Sequence, residues 1–120
     1  MRVFAVLAAF ALATGALAQP YTDSPTANWF KALQAPWVAN CCDQADCKLA
    51  ESDYRDGSWW AKSNRTGDWV RIEPGNITTT VSIFAKAVLC EGNPLFVEAP
   101  EPPHYEARVY CFAPPPIGAT

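Results

Sequence analysis

The sequence has little of what most enzymes and nucleic-acid-binding proteins rely on. It carries one histidine, His104, and one methionine, Met1, in 120 residues. A lone imidazole rules out a histidine-rich metal centre. A Cys–His nucleophile pair would need His104 to fold back onto the cysteines near residue 42, and nothing in the spacing supports that. Basic residues are also few. The 9 Lys+Arg against 12 Asp+Glu give a net charge of −3 with no basic run, so nucleic acid and anionic membrane surfaces are poor partners. There is no Cys-x-x-Cys, no internal repeat, and no segment after residue 18 that reaches the roughly 20 apolar residues of a membrane span. Carboxylate pairs such as Asp43/Asp46 and Glu98/Glu101 read as solvated surface. This inventory implies no cofactor and argues against an enzyme.

What is present begins with a leader. Met1-Arg2 supplies a positive charge, Val3 to Ala18 is uncharged and largely apolar, and Ala16-Leu17-Ala18 is the small-x-small pattern that signal peptidase accepts. The pattern predicts a signal peptide over residues 1–18 and a protein exported to the periplasm or secreted. The alternative is an uncleaved N-terminal anchor helix. The first cysteine is Cys41, so the leader is not a lipoprotein signal.

The five cysteines are Cys41, Cys42, Cys47, Cys90 and Cys111. In a small exported chain they are expected to form disulfides, and the odd number leaves one thiol over or one intermolecular bridge to a partner. Cys90 ends the run Lys86–Cys90, and Cys111 sits within Ala107–Phe112. If those runs are neighbouring antiparallel strands, the two sulfurs face each other. That favours a Cys90–Cys111 bridge worth about 3 kcal/mol by chain entropy. The second bridge then joins Cys47 to Cys41 or Cys42, or ties this cluster to the sheet. Cys41, Cys42, Asp43, Asp46 and Cys47 also form an alternative ligand set for Zn²⁺, or for Cu(I) through sulfur. Against it, zinc modules draw on two separated ligand pairs, and an oxidising compartment favours disulfides.

Residues 19–23 read as a mobile N-terminus, and residues 24–113 as one domain. Ser24-Pro25 starts a helix, Trp29, Phe30 and Leu33 give it an apolar face, and Pro36 stops it after about 11 residues. Asp56-Gly57 is a tight turn before the strand Ser58–Ser63, and Asn64–Gly67 turns into a second strand, Asp68–Glu73. A hairpin closing on Ser63 and Asp68 opposes Ala61 with Val70 and Trp59 with Ile72 on an apolar face. On the other face it opposes Trp60 with Arg71 and Lys62 with Trp69, predicting two cation–aromatic pairs.

Trp60, Lys62, Trp69 and Arg71 are therefore the candidate contact patch, suited to stacking on sugar rings or clamping a Pro-rich peptide. The competing reading lays the Ser24–Pro36 helix across this strip as a second core layer. Residues 81–89 fit both helix and strand, with strand favoured for the second half. Leu95–Val97 reads as a short edge strand within a Pro-rich loop, and residues 114–120 as a Pro-rich tail. Asn64-Arg-Thr66 and Asn76-Ile-Thr78 match the glycosylation acceptor, which matters only in a host that glycosylates.

The pieces Trp29-Phe30-Lys31, Cys41-Cys-Asp43 with Asp46-Cys47, Arg55-Asp-Gly57 before Trp59-Trp60, Trp69-Val70 and Tyr110-Cys-Phe112 resemble a group of small exported proteobacterial proteins. Their shared element is Cys-Cys-Asp-x-x-Asp-Cys. The resemblance covers most of the chain after the leader and implies export and a small cysteine-containing fold. It brings no activity or catalytic residue with it.

The resulting expectation is an α+β domain: a β-rich meander of about four or five antiparallel strands with an N-terminal helix, stapled by disulfides. A small SH3-like barrel is the alternative architecture. The expected role is an exported, non-catalytic structural or binding module of the cell envelope or secretome, with a glycan or peptide as the partner chemistry. A metal-binding protein using the Cys41–Cys47 cluster and a cysteine-dependent redox protein or enzyme are the alternatives.

Overall fold

A computed structural model describes residues 24–117. The predicted signal peptide and residues 19–23 lie outside that range. Helix α1 spans Pro25–Lys31, and a single turn, α2, spans Cys41–Gln44. Eight short strands follow: β1 Asp46–Ala50, β2 Ser52–Arg55, β3 Ser58–Lys62, β4 Trp69–Arg71, β5 Ala87–Glu91, β6 Leu95–Val97, β7 His104–Glu106 and β8 Val109–Ala113. They form three sheets, ordered β1-β5-β8, β2-β3-β4 and β6-β7, with every pairing antiparallel. The chain is thus a small β-rich domain with an N-terminal helix and two disulfides. No closed barrel forms among the described residues, and the expected single meander is divided among three sheets.

The centre is β5, of which every residue is buried. Alternation along a strand sends successive side chains to opposite faces, and both faces of β5 are covered. Val88 and Cys90 belong to one apolar cluster with Leu33, Ala35, Val38, Cys41, Cys111 and Ala113. Ala87 and Leu89 belong to another with Ala50, Ala61, Ile72 and Phe112. The N-terminal segment packs on the first face and the β2-β3-β4 sheet on the second. β1 and β2 are separated only by Glu51, so the chain passes from one sheet to the other at that corner.

Local chemistry explains the turns. The Ser24 side chain accepts a hydrogen bond from the Ala27 N–H at 3.1 Å, capping α1 at the expected residue. Asp56 (φ 51°) and Gly57 (φ 79°) form the left-handed two-residue turn between β2 and β3. α1 is shorter than expected, at 7 residues. Pro36 disfavours helical backbone at Ala35. Ala35 instead exchanges two backbone hydrogen bonds with Val38, and the Leu33 carbonyl accepts from the Cys41 N–H at 3.1 Å. Breaking the helix there lets Leu33, Ala35, Val38 and Cys41 all reach the core. Trp37 then lies over Gly75, where a Cβ would stand 2.0 Å from the indole. The Pro-rich tail begins attached, since the Pro114 carbonyl accepts from the Ser82 N–H at 2.7 Å.

The disulfides correct the expected connectivity. Cys90 does lie opposite Cys111 in the β5–β8 register, but the two are not bonded to each other. Cys90 is bonded across the other edge to Cys47, its register partner on β1, and Cys111 is bonded to Cys41 on α2. Neither Cys41 nor Cys42 is joined to Cys47; both bridges instead tie the cluster to the strands of the sheet, the alternative the sequence left open. Cys47, Cys90 and Cys111 occupy one row across three strands, so register alone offers Cys90 two partners. The descent of α2 onto that row supplies Cys111 with a different one.

The Cys41–Cys111 bridge spans a sequence separation of 70. Replacing both with alanine is expected to cost about 4 kcal/mol, the chain-entropy value for such a loop. Urea unfolding of the double variant measures it, and a loss under about 1 kcal/mol would contradict this anchoring role for α1 and α2.

Candidate functional site

The hairpin register is the expected one: Trp60 opposes Arg71, Ala61 opposes Val70 and Lys62 opposes Trp69. The Ile72 N–H donates to the Trp59 carbonyl at 2.8 Å. Trp59 turns inward and packs edge-on to Tyr54 and against Phe112. Trp60 and Trp69 face the other way. Because α1 packs with the first apolar cluster, it does not lie across this strip. Trp69 is 42 % exposed, Lys62 and Arg71 are exposed, and Trp60 is half-buried.

The cation–aromatic pairing differs from the expected one. Arg71 donates to Ser58 Oγ at 3.2 Å and to Glu73 at 2.9 Å, while Lys62 lies 3.9 Å from Glu51. The cation on the rings is Arg55, whose guanidinium carbon sits 4.8 Å from the Trp60 ring centroid and 5.2 Å from that of Trp69. Asp53 steadies it at 3.4 Å. Sequence reasoning overlooked Arg55, although the signal was there. An Asp56-Gly57 turn pairs Arg55 with Ser58 and puts it on the Trp60 face.

Beside Trp69 the surface is grooved. A pocket of about 230 Å³ is lined by Ala50, Glu51, Ser52, Trp69, Ala85, Lys86 and Pro115. A second, of about 480 Å³, continues along Glu51, Lys62, Asn64 and Lys86. Shared walls at Ala50, Glu51 and Lys86 make the two one trough, with an aromatic ring at one end and carboxylate, ammonium and amide groups along it.

The sulfur cluster forms a separate site. Cys41 and Cys47 are consumed in different disulfides, and Cys42 keeps its thiol. The metal alternative on Cys41, Cys42, Asp43, Asp46 and Cys47 therefore loses two of its three sulfurs as thiolate ligands. Asp46 is engaged by Arg65 at 2.6 Å, and nothing is described of the Asp43 side chain. Cys42 Sγ donates to the Phe30 carbonyl at 3.0 Å and lies 3.7 Å from Cys47 Sγ. It opens on a polar pocket with Asp46, Arg65, Glu91 and Asn93. Glu91 is only 3 % exposed, yet its carboxylate is satisfied: it accepts from the Ser63 hydroxyl and, at 2.9 Å, from the Asn64 N–H. This contact ties the end of β5 to the β3–β4 turn.

His104 lies at the start of β7, with Glu106 at 3.1 Å and Glu101 at 3.7 Å from Nε2 and the Pro102 carbonyl at 2.9 Å from Nδ1. It shares a pocket with Arg65, Thr66, Asp68, Pro94 and Tyr105.

The Pro102 carbonyl first, and then the Glu106 and Glu101 carboxylates, favour the imidazolium and raise the His104 pKa above its ordinary 6.5. A raised folded-state pKa means the ion pairs stabilise the fold fully below about pH 6.5. That contribution is lost as pH rises through the folded value. An NMR titration of the single imidazole is expected to give a midpoint above 6.5 in the native chain and a lower one in Glu106→Gln. Equal midpoints would remove Glu106 as a cause.

Comparison with known proteins finds no match to any protein-family model, curated protein or solved structure.

Proposed function

We propose that the protein is an exported, non-catalytic binding module of the cell envelope or secretome that holds a saccharide chain along the Trp69 trough. The observation that carries this reading is the uncovered Trp60–Arg55–Trp69 face continuing into a groove of hydrogen-bonding groups. Sugars present apolar C–H faces to aromatic rings and hydroxyl edges to polar side chains. Trp69 supplies the ring, and Glu51, Ser52, Lys62, Asn64 and Lys86 supply both donors and acceptors. Arg55 fixes the indoles in place, so little ordering entropy is lost on binding. Export is supported by the leader pattern, by the two disulfides, and by the resemblance to small exported proteobacterial proteins. Among the described residues no helix is long and apolar enough to cross a membrane.

The test is affinity electrophoresis and pull-down on insoluble glycans, peptidoglycan among them. Trp69→Ala is expected to weaken retention by at least about 2 kcal/mol, roughly thirtyfold in Kd, with the circular dichroism spectrum unchanged. Retention equal to that of the native chain, or no retention of any glycan by the native chain, overturns the reading.

The 3.7 Å approach of Cys42 Sγ to Cys47 Sγ supports a second reading, a cysteine-dependent redox protein. The Cys42 thiolate would attack Cys47 Sγ, forming Cys42–Cys47 and releasing Cys90 as a thiolate that takes up the proton Cys42 gave off. Alkylation of the unreduced chain followed by peptide mapping tests it. Exchange predicts label on both Cys42 and Cys90, and none on Cys90 in Cys42→Ser. Label confined to Cys42 rejects it.

A further inference from the structure

The loop and strand from Glu101 to Glu106 bring three ligand-type side chains together at the β6–β7 hairpin. Glu101, His104 and Glu106 each offer one donor atom, and all three atoms lie within 4.8 Å of one another. Ligands bound to Zn²⁺ at about 2.0–2.2 Å in tetrahedral directions stand roughly 3.3–3.6 Å apart. The distances from His104 Nε2, 3.1 Å to Glu106 and 3.7 Å to Glu101, bracket that spacing. Both carboxylates are on exposed side chains, so small rotations bring them onto a common ion.

A second feature concerns the other ring nitrogen. Nδ1 faces the Pro102 carbonyl at 2.9 Å. In the neutral ring that contact keeps the proton on Nδ1 and leaves the Nε2 lone pair directed at the carboxylates. Metal-binding histidines typically donate their other ring N–H to a carbonyl or carboxylate in this way, which fixes the tautomer. The frame is held as well. Phe96 and Tyr105 pack across the hairpin with ring centroids 5.1 Å apart, and Pro100, Pro102 and Pro103 restrict the loop backbone.

The surrounding charges are compatible with a cation. The neighbouring pocket wall carries Arg65 and Asp68, and Arg65 is already engaged by Asp46 at 2.6 Å. Two carboxylates and a neutral imidazole offset a dication's charge. One nitrogen with two oxygens suits a borderline metal better than Ca²⁺ or Mg²⁺, which take oxygen shells.

We propose that Glu101, His104 and Glu106 form a Zn²⁺ site with at least one further position open to solvent. The site uses none of the cysteines and is independent of the glycan trough.

The test is calorimetric titration of the folded, disulfide-bonded chain with Zn²⁺ alone at neutral pH, with the His104 ring resonances followed in parallel. The expected result is one Zn²⁺ per chain at micromolar Kd, with the ring signals shifting to saturation at the same stoichiometry. His104→Ala and Glu106→Gln should each weaken binding at least about tenfold, the loss that even removing a hydrogen-bond partner of a ligand can bring. Cys42→Ser should bind as the native chain does. No saturable binding overturns the proposal. So does binding that survives Glu106→Gln and disappears in Cys42→Ser, because the thiol would then be the ligand.

Discussion

Burial of β5 on both faces is the constraint from which the rest of the arrangement follows. A strand covered on two sides needs one layer for each, and a chain this short has little to cover it with. The N-terminal segment provides one layer through Leu33, Ala35 and Val38, and the β2-β3-β4 sheet provides the other through Ala61 and Ile72. Each layer is then fastened where packing alone is thin. The N-terminal layer contains a helix of only 7 residues, too short to persist alone, and the Cys41–Cys111 bridge fixes it to the neighbouring strand. On the opposite side the buried Glu91 carboxylate receives the Ser63 hydroxyl and the Asn64 N–H, joining the second sheet to the end of β5. A carboxylate there is tolerated because its oxygens are satisfied, and it sets where the β3–β4 turn sits.

Which face becomes core and which stays open follows from the same division. With α1 committed to the Val88–Cys90 side of β5, the helix does not lie over the outer face of β2-β3-β4. Trp59 and Trp60 are adjacent, yet one fills the core beside Phe112 and the other carries Arg55 on the surface. An exposed aromatic strip is normally a liability. Placing a guanidinium across both indoles, with Asp53 beside it, leaves the strip partly polar and holds the rings in position before any partner arrives.

The features legible in the sequence were those decided by a few adjacent residues. The Ser24 cap, the Asp56-Gly57 turn, the Trp60/Arg71 register and the strand at 95–97 each follow from local chemistry or period-two alternation, whereas residues 81–89 fit helix and strand alike and only their second half enters β5. What was not legible depended on contacts distant in sequence. Register sets Cys90 beside Cys111 but does not decide bonding, because Cys41 reaches Cys111 from another layer. Leu33 continues the apolar face of the helix, which is why the sequence predicts a helix running to Pro36. In the fold Leu33 instead leaves the helix to enter the core. Arg55 joins the Trp60 face only when the Asp56-Gly57 turn sets the register as well as the Asn64–Gly67 turn. The Glu101–His104–Glu106 cluster lies in what the sequence marks as a Pro-rich loop, and only the fold shows that its three ligand atoms come within 4.8 Å of one another.

The sulfur cluster and the trough sit at opposite ends of one strand. β1 begins at Asp46 and Cys47, beside the Cys42 thiol, and ends at Ala50, with Glu51 next in the wall of the trough. It is an edge strand of its sheet, joined only to β5, and the Cys47–Cys90 bridge is the sole covalent link between the two. An edge strand is laddered along one side alone, so the disulfide adds to a ladder that has no second neighbour. Exchange at Cys47 would replace the cross-strand bridge with a local one to Cys42 and leave β1 held by its ladder and packing. The trough wall at Leu49, Ala50 and Glu51 belongs to the same stretch of chain as the Cys47 bridge. Five paired residues, Asp46 to Ala50, are all that separate the two ends.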